Sequence, residues 1–268
     1  MVNKIRMVVF DVDGTVFPIG SGQCSEKTRE ALLACKEAGI ITAPCSGRSI
    51  FMFPQQLSEV INTKYVIYCN GAYIANPETG EIADSNTVDP LKVAALFRQF
   101  PGSDIYHKAS TFTRFLDDNP RKKETRSIPT VFVDDVITIL ENLDEPLFKA
   151  EFFFQEESNS KPAVLEKLKD NTDFTFSSAL PDNIEVNNPL ATKGNAVRKL
   201  ASLYGLSLDE VMAIGDGDND SSMLEAAGFA IAMGNSPDSL KEIADAITDT
   251  VENDGFAQAI YKYALQKE

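Results

Sequence analysis

Two carboxylates separated by one apolar residue, Asp11 and Asp13, follow directly on the apolar run 5–10, with Gly14 and Thr15 behind them. A short apolar run closed by Asp and Gly reads as a buried strand ending in a tight loop. Ligands of open parallel sheets bind at the carboxyl ends of strands, so both acids can face one crevice. Two further apolar runs end in the same way. Residues 40–44 run into Cys45-Ser46-Gly47-Arg48, and residues 211–214 into Gly215-Asp216-Gly217-Asp218-Asn219-Asp220. Lys193 stands at the start of a helical pattern. These residue types make up a phosphoryl-transfer set. Asp11 and Asp216 offer hard oxygens suited to Mg²⁺, which favours one or two carboxylates with waters and substrate phosphate. The Ser46 hydroxyl and nearby backbone N–H groups can hold phosphate oxygens. Lys193 adds a compact positive charge, and Asp13 is left for proton transfer. Each loop taken alone is also compatible with a Gly/Asp turn that binds nothing.

The elements around these loops follow an α/β order. Ser25 can cap a helix running to about Ala38, with Ala31, Leu32 and Cys35 as its apolar face and Gly39 as its terminator. A helical stretch interrupted by Pro54 separates the second strand from a third at 65–68, which ends at Asn70-Gly71. Tyr73-Ile74 and Glu81-Ile82 flank Asn76-Pro77-Glu78-Thr79-Gly80, a hairpin with its turn residues in place. Strand, helix, strand, helix, strand predicts a parallel sheet covered by helices. From about Val88 the texture becomes a mixture of short strands and helices, and the first texture returns at Lys193. The chain then closes with strands at 211–214, 229–232 and 246–248, and a last helix from Gly255. The reading is therefore a doubly wound Rossmann-like α/β core at 1–83 and 185–268, with an α+β domain inserted at 84–184.

Composition excludes several classes of function. The 268 residues carry 40 acids against 25 bases, a net charge of −15, which argues against a nucleic-acid partner. No apolar run has membrane-spanning length and no signal peptide is evident, so a cytoplasmic protein without a membrane partner is expected. The four cysteines lack metal-ligand spacing and read as reduced thiols. His107 is the only histidine and no serine sits in a nucleophile elbow, which disfavours His-dependent nucleophilic catalysis. His107 is expected to be a surface or packed residue of the inserted domain. Arg121-Lys122-Lys123 and Arg126 are expected to form a solvated loop, and Phe152-Phe153-Phe154 to supply core or sheet face in the insertion.

The ordered motifs DVDGT (11–15), CSGR (45–48), ATKG (191–194) and GDGDND (215–220) resemble those of the haloacid-dehalogenase-like hydrolase superfamily. CNGA (69–72), AMGNS (232–236), LKEIAD (240–245) and NDGFA (253–257) extend the resemblance to its Cof-type subfamily. The resemblance implies a mobile α+β cap that closes over the site. It also implies Mg²⁺-dependent hydrolysis of small phosphate monoesters, with sugar phosphates or phosphorylated cofactors the expected substrates. Asp11 matches the nucleophile that forms an aspartyl-phosphate, and Asp13 the general acid/base, with a raised pKa and a backbone carbonyl on the metal. Asp216 is the further metal ligand. Ser46, Gly47, Lys193 and Asn219 are expected to hold the phosphate, while Asp220 supports the metal's waters or orients Lys193. Thr15 is expected to hydrogen-bond Asp11, with Arg48 a further supporting residue. A phosphotransferase or phosphomutase on the same scaffold, or a phosphate-accepting regulatory module, are the alternative readings.

Overall fold

The computed structural model describes residues 4–119, 129–155, 157–178 and 180–267; the basic stretch Arg121-Lys122-Lys123 and Arg126 lies outside them. Strand β1, Met7–Phe10, is buried along its whole length, as expected for an uninterrupted apolar run in the middle of a parallel sheet. Helix α1, Glu26–Glu37, begins where the Ser25 hydroxyl accepts from Thr28 N and buries Ala31, Leu32 and Cys35. Strand β2, Ile41–Pro44, follows it. Pro54 then separates a single 3₁₀ turn from α2, Gln55–Val60.

Strands β3, Val66–Tyr68, β4, Tyr73–Ala75, and β5, Ile82–Ser85, form an antiparallel sheet of their own. This corrects the expectation that the third strand extends the parallel sheet. One of its edges pairs with β4, and the other meets the chain just past β2 at a parallel bridge between Cys45 and Ile67.

The second compact unit spans Asn86–Ala191. Its elements are α3, Pro90–Phe97, β6, Ile105–Thr111, β7, Phe115–Asp117, β8, Thr130–Phe132, and α4, Val136–Leu140, followed by β9, Leu147–Phe154, α5, Ser160–Leu168, β10, Thr175–Ser177, and β11, Asn183–Asn187. They form one sheet in the order β10-β11-β9-β6-β7-β8. Residues 185–191, placed in the core by the sequence reading, fall in this unit, since Asn183, Ile184, Glu185 and Val186 all pair with β9. Phe152 and Phe154 join the apolar cluster beneath the helices, with Val93, Phe97, Leu140 and Val164. Phe153, one residue out of phase, points to the opposite face, where the Lys108 ammonium lies 5.8 Å from its ring.

The first unit resumes with α6, Lys193–Leu203, β12, Val211–Gly215, α7, Ser221–Ala226, β13, Phe229–Ala232, α8, Asp238–Glu242, β14, Ala246–Ile247, and α9, Gly255–Ala259. Its five-stranded parallel sheet has the order β14-β13-β12-β1-β2. On one face Met7, Val9, Ala213 and Val211 pack against Ala196, Val197 and Leu200 of α6 and Met223 of α7. On the other, the rings of Phe10 and Phe256 lie 5.0 Å apart, edge to face. The chain leaves β1 for β2 on one side and returns to β12 on the other. The switch point therefore falls at the carboxyl end of β1, where helices diverge and open a crevice. Among the described residues no helix is long and apolar enough to cross a membrane.

Candidate active site

The register Phe10↔Ile214 puts the loops after β1 and β12 side by side. Asp11 and Asp216 thereby become neighbours at the switch point. Gly14 makes the meeting possible: its φ is +91°, and a Cβ there would stand 2.1 Å from Asp216 Oδ2. Thr15 comes round the same turn and donates to Asp216 Oδ1 at 2.7 Å. The expectation that Thr15 supports Asp11 is therefore corrected, because the turn carries its hydroxyl across to the adjacent strand.

Lys193 is the first residue of α6, whose N-cap Thr192 accepts from Asn195 N. A cation at a helix N-terminus meets the positive end of the dipole. Here two carboxylates outweigh that repulsion. The Lys193 ammonium, fully buried, lies 2.5 Å from Asp11 Oδ1 and 2.5 Å from Asp220 Oδ1. Burial alone would push the lysine down, but the charges of Asp11 and Asp220 hold it above its ordinary value. Asp220 Oδ2 accepts from the backbone N–H of Asp216 and of Gly217, each at 2.9 Å. Both oxygens of Asp220 are thus committed: it orients the lysine and shapes the acidic loop.

Burial pushes the Asp11 carboxyl up to about 7 against the pull of Lys193, and the Asp220 carboxylate adds to the push. Burial likewise carries Asp216 up to about 6, against the Thr15 hydrogen bond. An arrangement that gathers carboxylates around one ammonium is short of positive charge. Carboxylate oxygens of Asp11, Asp216 and Asp220 lie within 4.8 Å of one another, and with Asp220 bonded through both of its own, Asp11 and Asp216 are the pair suited to a divalent cation. The second oxygen of Asp11 has no hydrogen-bond partner among the described residues, and that of Asp216 meets only the Asn235 amide at 3.4 Å. The Asp216 oxygen, left with that one weak contact, fits a hard cation.

The remaining predicted residues gather around this centre. Arg48 grips Asp13 with a two-pronged fork, Nε to Oδ2 at 2.8 Å and Nη2 to Oδ1 at 2.6 Å. Ser46 is buried and its Oγ accepts from Arg48 N at 3.2 Å. Asn219 donates its amide to Asn70 Oδ1 at 3.2 Å, and a Cβ on Gly47 would lie 3.2 Å from that same oxygen.

Two site residues escaped the reading from sequence. Asn235 donates to Gly14 O at 2.9 Å and accepts from Val251 N at 3.0 Å, tying the loop after β1 to the turn before α9. Asn70 is the other; its sequence signals are an Asn-Gly pair closing a strand and its place in the CNGA block, neither of which gave it a role. His107 belongs to the second unit, where its ring lies 4.3 Å from that of Phe97 and its Nδ1 is 3.1 Å from Asp118 Oδ2. Burial pushes the Cys35 thiol up to about 12 and Cys45 also upward, so neither supplies a ready thiolate.

A doubly wound sheet with an Asp–Lys–Asp centre buried at its switch point defines an α/β enzyme with an aspartate-centred site. The family model for haloacid dehalogenase-like hydrolases matches residues 8–260, and the chain belongs to that family. It is 30% identical to the Bacillus subtilis protein YxeH, over 98% of this chain and 99% of the relative. It is 29% identical to the 5-amino-6-(5-phospho-D-ribitylamino)uracil phosphatase YcsE of Bacillus subtilis, over 97% of this chain and 96% of the relative. A solved haloacid dehalogenase-like hydrolase from Bacteroides thetaiotaomicron, 25% identical, superimposes with a TM-score of 0.84 over 97% of this chain and 99% of that one.

Proposed function

We propose that this enzyme is a Mg²⁺-dependent phosphatase of small phosphate monoesters, working through an aspartyl-phosphate on Asp11. The observation that carries this reading is the division of labour between the two oxygens of Asp11. Oδ1 is held by Lys193 at 2.5 Å, which fixes the carboxylate, while Oδ2 has no hydrogen-bond partner among the described residues. A carboxylate so held can present Oδ2 to phosphorus in line with a leaving group. A bound Mg²⁺, held by Asp11, Asp216 and the backbone carbonyl of Asp13, would reduce the repulsion between a carboxylate and a phosphate dianion.

Asp13 protonates the departing alkoxide and then takes a proton from the attacking water. A protonated carboxyl carries a donor that the Arg48 fork cannot meet. Arg48 therefore yields one oxygen of Asp13 as the substrate arrives. Ser46, the N–H groups around Gly47, Lys193 and Asn219 hold the phosphoryl oxygens. The phosphoribityl substrate in the name of the relative YcsE is a small monoester of the kind expected, alongside sugar phosphates and phosphorylated cofactors.

The test is phosphate release from a panel of sugar phosphates, mononucleotides and cofactor phosphates with Mg²⁺, using wild type and Asp11→Asn. Release by wild type alone supports the reading. Turnover by Asp11→Asn at the wild-type rate, or no release from any monoester, overturns it.

A further inference from the structure

Three consecutive residues, Cys69, Asn70 and Gly71, have φ of +48°, +55° and +97°. Two of the three carry side chains, for which this region is disfavoured, and Cys is not among the residues that tolerate it best. Such a run persists only where the surroundings hold it, and it marks a segment whose shape is needed. The surroundings here are parts of the candidate site. Cys69 N donates to Arg48 O and Asn70 N to Ser46 O, each at 3.0 Å. At Gly71 a Cβ would stand 2.3 Å from Thr192 O and 3.1 Å from Lys193 N, so this turn abuts the start of the lysine helix. The Asn70 side chain lies against Gly47 and accepts from Asn219 Nδ2 at 3.2 Å.

We infer that Asn70 is a positioning residue for phosphate recognition, holding the Asn219 amide and the Ser46-Gly47 loop in the geometry that meets phosphoryl oxygens. The inference deepens the phosphatase reading and rests on it. Asn219 is exposed on a short 3₁₀ turn, and the Asn70 oxygen is the contact that joins it to the loop after β2. The left-handed backbone is what brings that oxygen within reach. A segment needed only as a connector would be served as well by glycine at position 70.

Glycine at position 70 separates the two roles. Asn70→Gly accepts the same left-handed backbone and removes the amide, so a connector would keep its stability to within a small change and keep its activity. A positioning residue would keep its fold and lose function. Thermal unfolding, steady-state kinetics and calorimetric binding of inorganic phosphate with Mg²⁺ are measured for wild type, Asn70→Gly, Asn219→Ala and the double variant.

Asn70→Gly is expected to unfold close to the wild-type temperature and to lose about tenfold or more in kcat/KM. Its phosphate affinity should fall in parallel. The double variant should be no worse than Asn219→Ala alone, since both changes remove one coupled unit. Activity of Asn70→Gly within about twofold of wild type, or losses that multiply in the double variant, overturn the inference. Phosphate binding reads it even where no ester turns over: equal affinity in wild type and Asn70→Gly overturns it. A wild type that binds phosphate but hydrolyses nothing counts against the phosphatase reading alone.

Discussion

Replacing Asp11 with asparagine should abolish turnover and yet stabilise the metal-free protein at alkaline pH. Lys193 supplies one buried ammonium to two carboxylates, with Asp216 close behind, so the centre carries excess negative charge. Burial raises Asp11 from 3.8 to about 7. Between those values the unfolded chain has lost this proton and the native protein still holds it. The native state binds more protons there, so stability falls as pH rises. The contribution is whole below 3.8 and is lost once pH passes about 7. Ionising the native group over that interval costs about 4 kcal/mol.

Asparagine removes the titration, but it also replaces one of the two charged partners of Lys193 with an amide oxygen, which offsets part of the gain. The net expectation is a gain of about 1–3 kcal/mol at about pH 8, shrinking towards zero at about pH 4, where wild-type Asp11 is itself protonated. Urea unfolding in EDTA across that range measures it. A variant less stable than wild type at alkaline pH, or a difference that does not grow with pH, would refute the charge-excess argument.

Lys193→Met leaves Asp11 and Asp220 as facing carboxylates without their cation, and should cost about 3–5 kcal/mol near neutral pH, with partial recovery on acidification, as read by denaturant midpoints. Gly14→Ala drives a Cβ to 2.1 Å from Asp216 Oδ2 at a φ of +91°; it should destabilise by about 1–3 kcal/mol and greatly weaken Mg²⁺ binding in calorimetry. Exhaustive EDTA treatment should end phosphate release, and Mg²⁺ at about a hundred times its Kd should restore about 2.7 kcal/mol of stability in thermal unfolding. Full activity in EDTA would remove the metal from the reaction.

The signals that the chain's own residues carry are local. Apolar runs ending in Asp or small residues mark β1, β2 and β12, and the Ser25 cap with the Gly39 stop marks α1. Such signals are legible because each lies within a few residues of the backbone it acts on. The family motifs add roles that spacing alone leaves open. Tertiary structure decided which loops meet. Thr15 reaches Asp216 across 201 residues, and Lys193 reaches Asp11 across 182.

Those partners follow from the order of strands in the sheet, which no local pattern encodes. A hydroxyl after β1 has the same local sequence whether it faces Asp11 or Asp216. The third strand reads like its neighbours, yet its ladder runs antiparallel with the hairpin that follows, and towards the parallel sheet it makes an isolated bridge. Asn70 was legible as a turn residue and as part of the CNGA block, without a role. Its place in the site comes from a left-handed backbone wedged between the Ser46 loop and the Lys193 helix, and only packing between segments far apart in the chain can hold that conformation.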